Sequence, residues 1–235
     1  MRLLLIALCV VVAALLITAC SRSAKREEHK EHADHTAARG DGHPHLLPHR
    51  FNNPEAWAAR WETPERDAWQ KPDEVVAALN LPIGAKVADV GAGTGYFATR
   101  LARAVPDGKV FASDLEPEMV EYLQARAVRE GLRHMTAVQA DEDDANLPEQ
   151  VDLVLMVNTH HHISERPAYF RKLAEDVAPR GRIAIIDYRP DAPMGPPPEH
   201  RLPADAVERD LSEAGFRVVE RHAFLPHQYF LVFSR

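Results

Sequence analysis

The chain has 235 residues, of which 46% are hydrophobic and 27% charged, with a formal net charge of −7 at pH 7. This composition suits one globular domain with tails. The acidic excess lies in residues 51–235, which lack a basic stripe, and this argues against a nucleic-acid partner.

The first residues of the chain are typical of a targeting segment. Met1-Arg2 gives a positively charged start, and residues 3–17 are almost wholly apolar. The following run Ile17-Thr18-Ala19-Cys20 resembles a bacterial lipobox, in which the signal peptide is cut before the cysteine and the cysteine is lipidated. The resemblance implies a signal peptide over residues 1–19, which takes no part in the fold. The alternative is an uncleaved anchor, because about 18 apolar residues just span a bilayer.

The lipobox also predicts where the chain resides and what its cysteines do. A lipid on Cys20 implies a lipid-anchored protein of the bacterial cell envelope that faces the periplasm. Ser21 follows this cysteine, where an aspartate would favour the inner membrane, so the outer membrane is expected. The other cysteine, Cys9, would leave with the signal peptide. The mature chain would then have no free thiol, disulfide or cysteine metal site.

Residues 20–50 are predicted to form a flexible, histidine-rich tether, because they are polar and lack an apolar period. Such a tract can bind Zn²⁺, Cu²⁺ or Ni²⁺. No histidine spacing recurs, which favours a solvated linker. The histidines concerned are His29, His32, His35, His43, His45 and His49.

Residues 51–80 are expected to form a helical N-terminal cap. Asn53 precedes Pro54 as a helix cap would. Trp57 and Trp61, four residues apart, would share one helical face, and Asp73 to Leu79 indicates a further helix.

The most informative motif follows a short strand predicted over residues 86–90. Three glycines occur in Asp89-Val90-Gly91-Ala92-Gly93-Thr94-Gly95 with the spacing G-x-G-x-G. Glycines at a strand-to-helix turn let the backbone approach a ligand closely. The dinucleotide fingerprint G-x-G-x-x-G would need its third glycine at Tyr96, and a P-loop would need Gly-Lys-Ser/Thr, so neither motif fits.

This pattern resembles motif I of the class I S-adenosylmethionine (SAM) methyltransferases, whose glycine turn cradles the methionyl end of the cofactor. The alternative is a glycine-rich turn in another α/β protein. The resemblance implies SAM as cofactor and, in many members, a helical N-terminal segment that covers it, although packing is the favoured role for the tryptophans. The cofactor-binding residues that it implies are Asp89, Gly91, Ala92, Gly93, Gly95, Asp114, Leu115, Asp141, Glu142 and Asn158.

Strand and helix signals alternate over residues 81–235, the expected methyltransferase domain, which predicts a parallel sheet with helices on both faces. The resemblance implies an α/β, Rossmann-like fold with seven mostly parallel strands and a C-terminal antiparallel hairpin. The predicted helices are 95–104, 117–130, 165–177 and 204–214. The predicted strands are 86–90, 109–113, 134–139, 151–157, 182–188, 216–224 and 228–234.

Acidic residues follow two of these strands. Asp114 ends the second strand, where an acid accepts hydrogen bonds from both ribose hydroxyls in many nucleotide-binding folds. Its alternative role is a helix cap. Asp141, with Glu142 in reserve, follows the third strand, where the family places an acid on the adenine amino group. The alternative there is a solvated acidic loop.

Three histidines, His160, His161 and His162, follow the fourth strand. This edge of the sheet faces the sulfonium in the family, and His161 is the candidate general base, because an imidazole titrates near working pH. Capping or structural roles are the main alternative. A metal site is a minor one, since adjacent side chains rarely point at one ion, and no metal site is assigned. The sequence Asn158-Thr159 departs from the Asn/Asp-Pro-Pro-Tyr motif of nucleic-acid base methyltransferases, and is closer to enzymes of the ubiquinone/menaquinone type.

The resulting prediction is a membrane-tethered SAM-dependent methyltransferase that acts on a small-molecule or lipid-like acceptor and not on nucleic acid. The alternative is a non-catalytic lipoprotein that binds SAM, a nucleoside or a metal on the same fold, because fold does not imply function. SAM is made in the cytoplasm, and this supply problem keeps the alternative open.

Overall fold

The computed structural model describes residues 51–235. The predicted signal peptide, the histidine-rich tether and Cys20 lie outside these residues. Within the described part of the chain, no helix is long and apolar enough to cross a membrane.

Three short helices open the described region: α1 (Pro54–Trp61), α2 (Pro64–Gln70) and α3 (Pro72–Ala78). Each begins with proline, whose fixed φ suits the first helical turn. Asn53 caps α1, where its Oδ1 accepts a hydrogen bond of 3.1 Å from the amide of Ala56. Helix α2 was not predicted. It forms because Thr63 accepts from the amide of Arg66 and Pro64 occupies the first helical position.

The rest of the chain forms one seven-stranded sheet in the order β3-β2-β1-β4-β5-β7-β6. Strands β1 to β5 are parallel, and β7 pairs antiparallel with both β5 and β6. This order confirms the predicted fold class. The strands are β1 (Lys86–Val90), β2 (Lys109–Asp114), β3 (Met135–Gln139), β4 (Val151–Val157), β5 (Val177–Tyr188), β6 (Arg217–His222) and β7 (Gln228–Ser234).

Four α-helices and two short 3₁₀ turns connect the strands. They are α4 (Ala98–Ala104), α5 (Pro117–Arg129), α6 (Arg166–Leu173), α7 (Ala204–Glu213) and the turns His160–His162 and Pro198–His200. Helix α4 begins at Ala98 and not at Gly95, because Gly95 has φ +90° and cannot lie in a right-handed helix.

The predicted helix over 165–177 is too long, and strand β5 begins earlier than predicted. Helix α6 ends at Leu173, and the chain enters β5 at Val177. Pro179-Arg180-Gly181 lies within β5, where the register against β4 is irregular. Gly181 is required there, because a Cβ would lie 2.7 Å from Cγ1 of Val177 and 2.9 Å from the carbonyl of Val151.

Apolar side chains cover both faces of the sheet. Alternate residues of the strands point to opposite faces, so Val87 and Leu155 join one cluster while Ala88 and Val154 join the other. Phe170, in the second cluster, is fully buried, and burial of such a side chain stabilises the fold by about 1.5–3 kcal/mol. The parallel core therefore brings the carboxyl ends of β1, β2, β4 and β5 to one edge, where ligands bind in open α/β sheets.

Candidate functional site

The glycine turn lies between β1 and α4 and is held by its neighbours on both sides. The amides of Gly91 and Ala92 both donate to the carbonyl of Ser113 at the end of β2, at 2.9 and 3.0 Å. Gly91 has φ +73°, and a Cβ there would lie 2.3 Å from Oγ1 of Thr159, which follows β4. The turn is thus closely packed against the end of β4, and Gly91 has no room for a side chain.

Aromatic rings of α1 lie beside the same turn. Gly93 has φ +55°, and a Cβ there would lie 3.5 Å from the Trp61 ring. Trp61 stacks on Trp57, with ring centroids 4.6 Å apart, and contacts the tilted Phe51 ring, with centroids 5.4 Å apart. These three rings are half-buried. The tryptophans therefore pack together, as one reading of the sequence expected, and one of them does so next to the glycine turn.

Asp114 at the end of β2 reaches back to the turn. Its Oδ2 accepts from the amide of Gly93 at 2.7 Å, and its Oδ1 accepts from the amide of Glu116 at 3.0 Å. Burial raises the pKa of Asp114 from its ordinary value, while these amides lower it. Each carboxylate oxygen accepts more than one hydrogen bond, so this geometry leaves acceptor capacity for a ligand even though Asp114 also stabilises the start of α5.

Asp89 lies beneath the turn and is only 2% exposed. Burial and the nearby charge of Asp114 raise its pKa to about 7, against a smaller opposing effect of the Ala98 amide. Burial therefore favours the protonated form of Asp89 well above the pH at which a free aspartate ionises. A ligand that carries positive charge at this place would favour the ionised form.

Asp141 and Glu142 follow β3 and lie on an exposed loop. Oδ2 of Asp141 accepts from Nδ2 of Asn146 at 3.0 Å, and its amide donates to the carbonyl of Asp144. The loop is therefore ordered by its own hydrogen bonds, and the Asp141 carboxylate keeps lone pairs for a donor. Leu115, beside Asp114, is 48% exposed, which is compatible with an apolar contact to a ligand.

Asn158 directly follows β4 and has a left-handed conformation with φ +59°. Its amide donates to the carbonyl of Ile186 on β5, and its Oδ1 accepts from Nε2 of Gln228 at 2.5 Å. Non-glycine residues in this conformation are uncommon and often functional.

His161 forms a hydrogen-bonded pair with Asp187, a residue that the sequence analysis did not single out. Nδ1 of His161 lies 2.8 Å from Oδ2 and 3.0 Å from Oδ1 of Asp187, and both side chains are almost fully buried. Asp187 also accepts from the amide of Tyr188 at 2.8 Å. A carboxylate at Nδ1 holds the proton on that nitrogen, which leaves Nε2 as the basic atom. The signal for Asp187 was present, because an acid directly follows the apolar run of β5.

The other two histidines differ in their contacts, and the ring of His162 lies against that of His161, with centroids 4.2 Å apart. His160 is fully buried and stacks on Phe170, and its Nε2 lies 3.3 Å from Oδ2 of Asp210 without the geometry of a hydrogen bond. The pKa of Asp210 is lowered because His160 and Arg166 outweigh its burial. The His162 ring faces Phe51, with centroids 6.5 Å apart. Within residues 51–235, no group of three or more histidine, cysteine, aspartate or glutamate side chains is arranged to hold a metal ion.

Comparisons with known proteins agree with the fold. Residues 87–181 match the methyltransferase domain family. The chain is 34% identical over 112 residues to protein-L-isoaspartate O-methyltransferase of Aeropyrum pernix, covering 46% of this chain and 40% of that protein. A structure of a SAM-dependent methyltransferase from Aquifex aeolicus superposes with a TM-score of 0.70 at 28% identity, covering 77% of this chain and 97% of that one. These matches support a class I SAM-dependent methyltransferase.

A second curated relative matches a similar length of the chain. The chain is 31% identical over 113 residues to ubiquinone biosynthesis O-methyltransferase of Xanthomonas axonopodis pv. citri, covering 48% of this chain and 46% of that protein. The chain thus spans less than half the length of each of the two curated relatives.

S-adenosyl-L-methionine is the cofactor that the family and its solved members indicate. The residues present fit this group. Gly91 and Gly93 keep the turn free of side chains, and Asp114 has acceptor capacity for the ribose hydroxyls. Asp89 supplies negative charge near a cofactor that carries a sulfonium and an ammonium group.

Proposed function

We propose that this chain methylates a hydroxyl oxygen of a small-molecule or lipid-like acceptor, with His161 as the general base. The observation that carries the proposal is the buried pair of His161 and Asp187 at the carboxyl ends of β4 and β5. The partial likeness to an O-methyltransferase of ubiquinone biosynthesis supports an acceptor of this kind.

The hydrogen bond between His161 and Asp187 determines the proposed role of each residue. Asp187 accepts from Nδ1 of His161 and thereby leaves Nε2 free to take the proton of the acceptor hydroxyl. Asp187 also stabilises the imidazolium that forms. SAM, when bound, supplies the methyl group, and the electron pair of the broken carbon–sulfur bond stays on sulfur. The glycine turn and Asp114 orient the cofactor for in-line displacement, in which positioning provides much of the rate.

The test is the formation of S-adenosylhomocysteine by the full chain with a panel of quinol, phenol and lipid hydroxyl acceptors. His161→Ala is expected to lower the rate by about 10²–10⁴-fold, the usual worth of a general base, with little change in SAM affinity. Asp187→Asn is expected to lower the rate as well, since an amide N–H donor at Nδ1 would move the proton to Nε2. His162→Ala is the matched control on the same turn and is expected to keep most of the rate.

Two outcomes would overturn the proposal. Full activity of His161→Ala would leave catalysis to positioning alone, as an already nucleophilic acceptor would allow. SAM binding without transfer to any acceptor of the panel would favour the non-catalytic binding lipoprotein.

We also propose that the protein acts as a lipoprotein of the bacterial cell envelope, tethered through Cys20 and facing the periplasm. The support is the lipobox-like run that ends at Cys20 after an apolar segment. Such a tether would hold the domain close to lipid-like acceptors.

A further inference from the structure

Four polar side chains form a continuous series of hydrogen bonds from helix α2 to Asn158 at the edge of the sheet. Nε of Arg66 donates to Oε1 of Gln70 at 2.7 Å, and Nε2 of Gln70 donates to Oε1 of Gln228 at 2.8 Å. Nε2 of Gln228 then donates to Oδ1 of Asn158 at 2.5 Å. Gln70 is 0% and Gln228 1% exposed, so the two central members have no access to water as an alternative partner.

Arg66 sets the donor-to-acceptor direction of this series of hydrogen bonds. Arginine carries only donors and stays protonated in proteins, so Gln70 must present its oxygen to Arg66 and its nitrogen to Gln228. The same logic makes Gln228 present its oxygen to Gln70 and its nitrogen to Asn158. Arg66 is itself held in place, because it donates to the carbonyl of Trp61 at 3.1 Å and lies 3.9 Å above the Tyr96 ring.

Asn158 therefore has no choice of amide orientation. Its oxygen accepts from Gln228, which fixes the position of its Nδ2 group as the side-chain donor for another partner. Within residues 51–235, no side-chain or backbone oxygen accepts a hydrogen bond from that nitrogen. We propose that Arg66, Gln70 and Gln228 are positioning residues that make Asn158 an obligatory hydrogen-bond donor to the carboxylate of the bound cofactor.

The surroundings of the glycine turn explain why such a donor is needed. Asp89, Asp114 and Glu62 all border the turn, and the last accepts from Oγ1 of Thr94 at 2.6 Å. Arg126 pairs with Glu62 and donates to the carbonyl of Thr94 at 2.8 Å, so Asp89 and Asp114 are the acids that suit the positive groups of the cofactor. Their charges would repel its carboxylate. Asn158 precedes Thr159, whose side chain packs against Gly91, so Asn158 lies next to the turn at the end of β4. The inference rests on the binding of SAM at this turn.

The decisive variant reverses the direction of these hydrogen bonds and keeps all four side chains in the series. In Gln70→Glu, the carboxylate accepts from both Arg66 and Gln228, so Gln228 turns its oxygen toward Asn158 and Asn158 turns its own oxygen toward the ligand. Calorimetry on the full chain with S-adenosylhomocysteine is expected to show at least about 10-fold weaker binding, the effect of losing a hydrogen bond to a charged group. Gln70→Leu removes the hydrogen bonds of side chain 70 without reversing the others, and it is expected to weaken S-adenosylhomocysteine binding less.

A second ligand separates this effect from damage to the fold. 5′-Methylthioadenosine keeps the adenosine and sulfur but lacks the amino-acid carboxylate, so its affinity is expected to change by less than about 2-fold in Gln70→Glu. Equal S-adenosylhomocysteine affinity in Gln70→Glu and the wild type would overturn the inference. Equal losses for both ligands would also overturn it, since the effect would then not involve the carboxylate. Absence of binding to the wild type would instead contradict the cofactor assignment.

Discussion

At the scale of single residues, Asp89 gives the fold a pH dependence that can be measured. Its pKa is raised by burial and by Asp114 from 3.8 to about 7. The folded state therefore binds a proton that the unfolded state has released between about pH 4 and pH 7. The contribution of this proton to the free energy of unfolding is complete below about pH 4 and is lost as pH rises through 7. The free energy of unfolding then falls by up to about 1.4 kcal/mol per pH unit.

Asp89→Asn is expected to flatten this slope, because an amide keeps the size and acceptor of the side chain but does not titrate. Urea unfolding of the full chain at pH 5 and pH 7.5 measures it: the wild type should lose more stability over this interval than the variant. Equal losses in both proteins would show that Asp89 titrates normally in the folded state.

The sequence singled out candidate residues that follow predicted strands, such as the glycines, Asp114 and His161, and their roles stay predictions. It did not single out residues whose contacts are with distant parts of the chain. Asp187 lies 26 residues from His161, and Gln70 lies 158 residues from Gln228. Neither pairing leaves a local pattern, because the contact exists only after the sheet has formed.

At the scale of elements, the glycine turn allows a matched test of two glycines with similar backbone angles. Gly91 has φ +73° and a Cβ there would overlap Thr159, while Gly131, after helix α5, has φ +69° and open space around it. Gly131→Ala is expected to cost about 1–2 kcal/mol of unfolding free energy from backbone strain alone. Gly91→Ala should cost at least about 1–3 kcal/mol more from overpacking.

Chemical denaturation of both variants, compared with the wild type, gives the two costs directly. Similar losses of unfolding free energy in the two variants would show that Gly91 is not closely packed against the end of β4.

Strongly patterned elements could be predicted from the sequence, and their ends were the harder part. The apolar run of β4 and the helix from Pro117 were placed within one residue. The predicted start of α4 was wrong because the spacing of apolar residues does not reveal the left-handed backbone of Gly95. The start of β5 was misplaced because Pro179 and Gly181 are typical of turns, although the bulge against β4 accommodates both.

At the scale of the whole molecule, the proposed anchor depends on one residue outside residues 51–235. Cys20→Ala is expected to abolish lipidation and cleavage at the lipobox, which leaves an unlipidated precursor that retains residues 1–19. Intact-mass spectrometry of the protein from a bacterial host reads both changes. Cys20→Ser is a closer isostere and should behave in the same way. A mature wild-type chain with an unmodified Cys20 would contradict the proposed tether.

The most direct test of the central claim is a titration of the full chain with SAM, for the wild type and for Gly93→Val. The wild type is expected to bind with a dissociation constant below 1 mM, on the order expected for a cofactor. Gly93→Val is expected to abolish binding, because valine is strained at φ +55° and its side chain would occupy the space between the turn and Trp61. Wild-type affinity weaker than millimolar, or unchanged affinity in a folded Gly93→Val variant, would contradict SAM binding at the glycine turn.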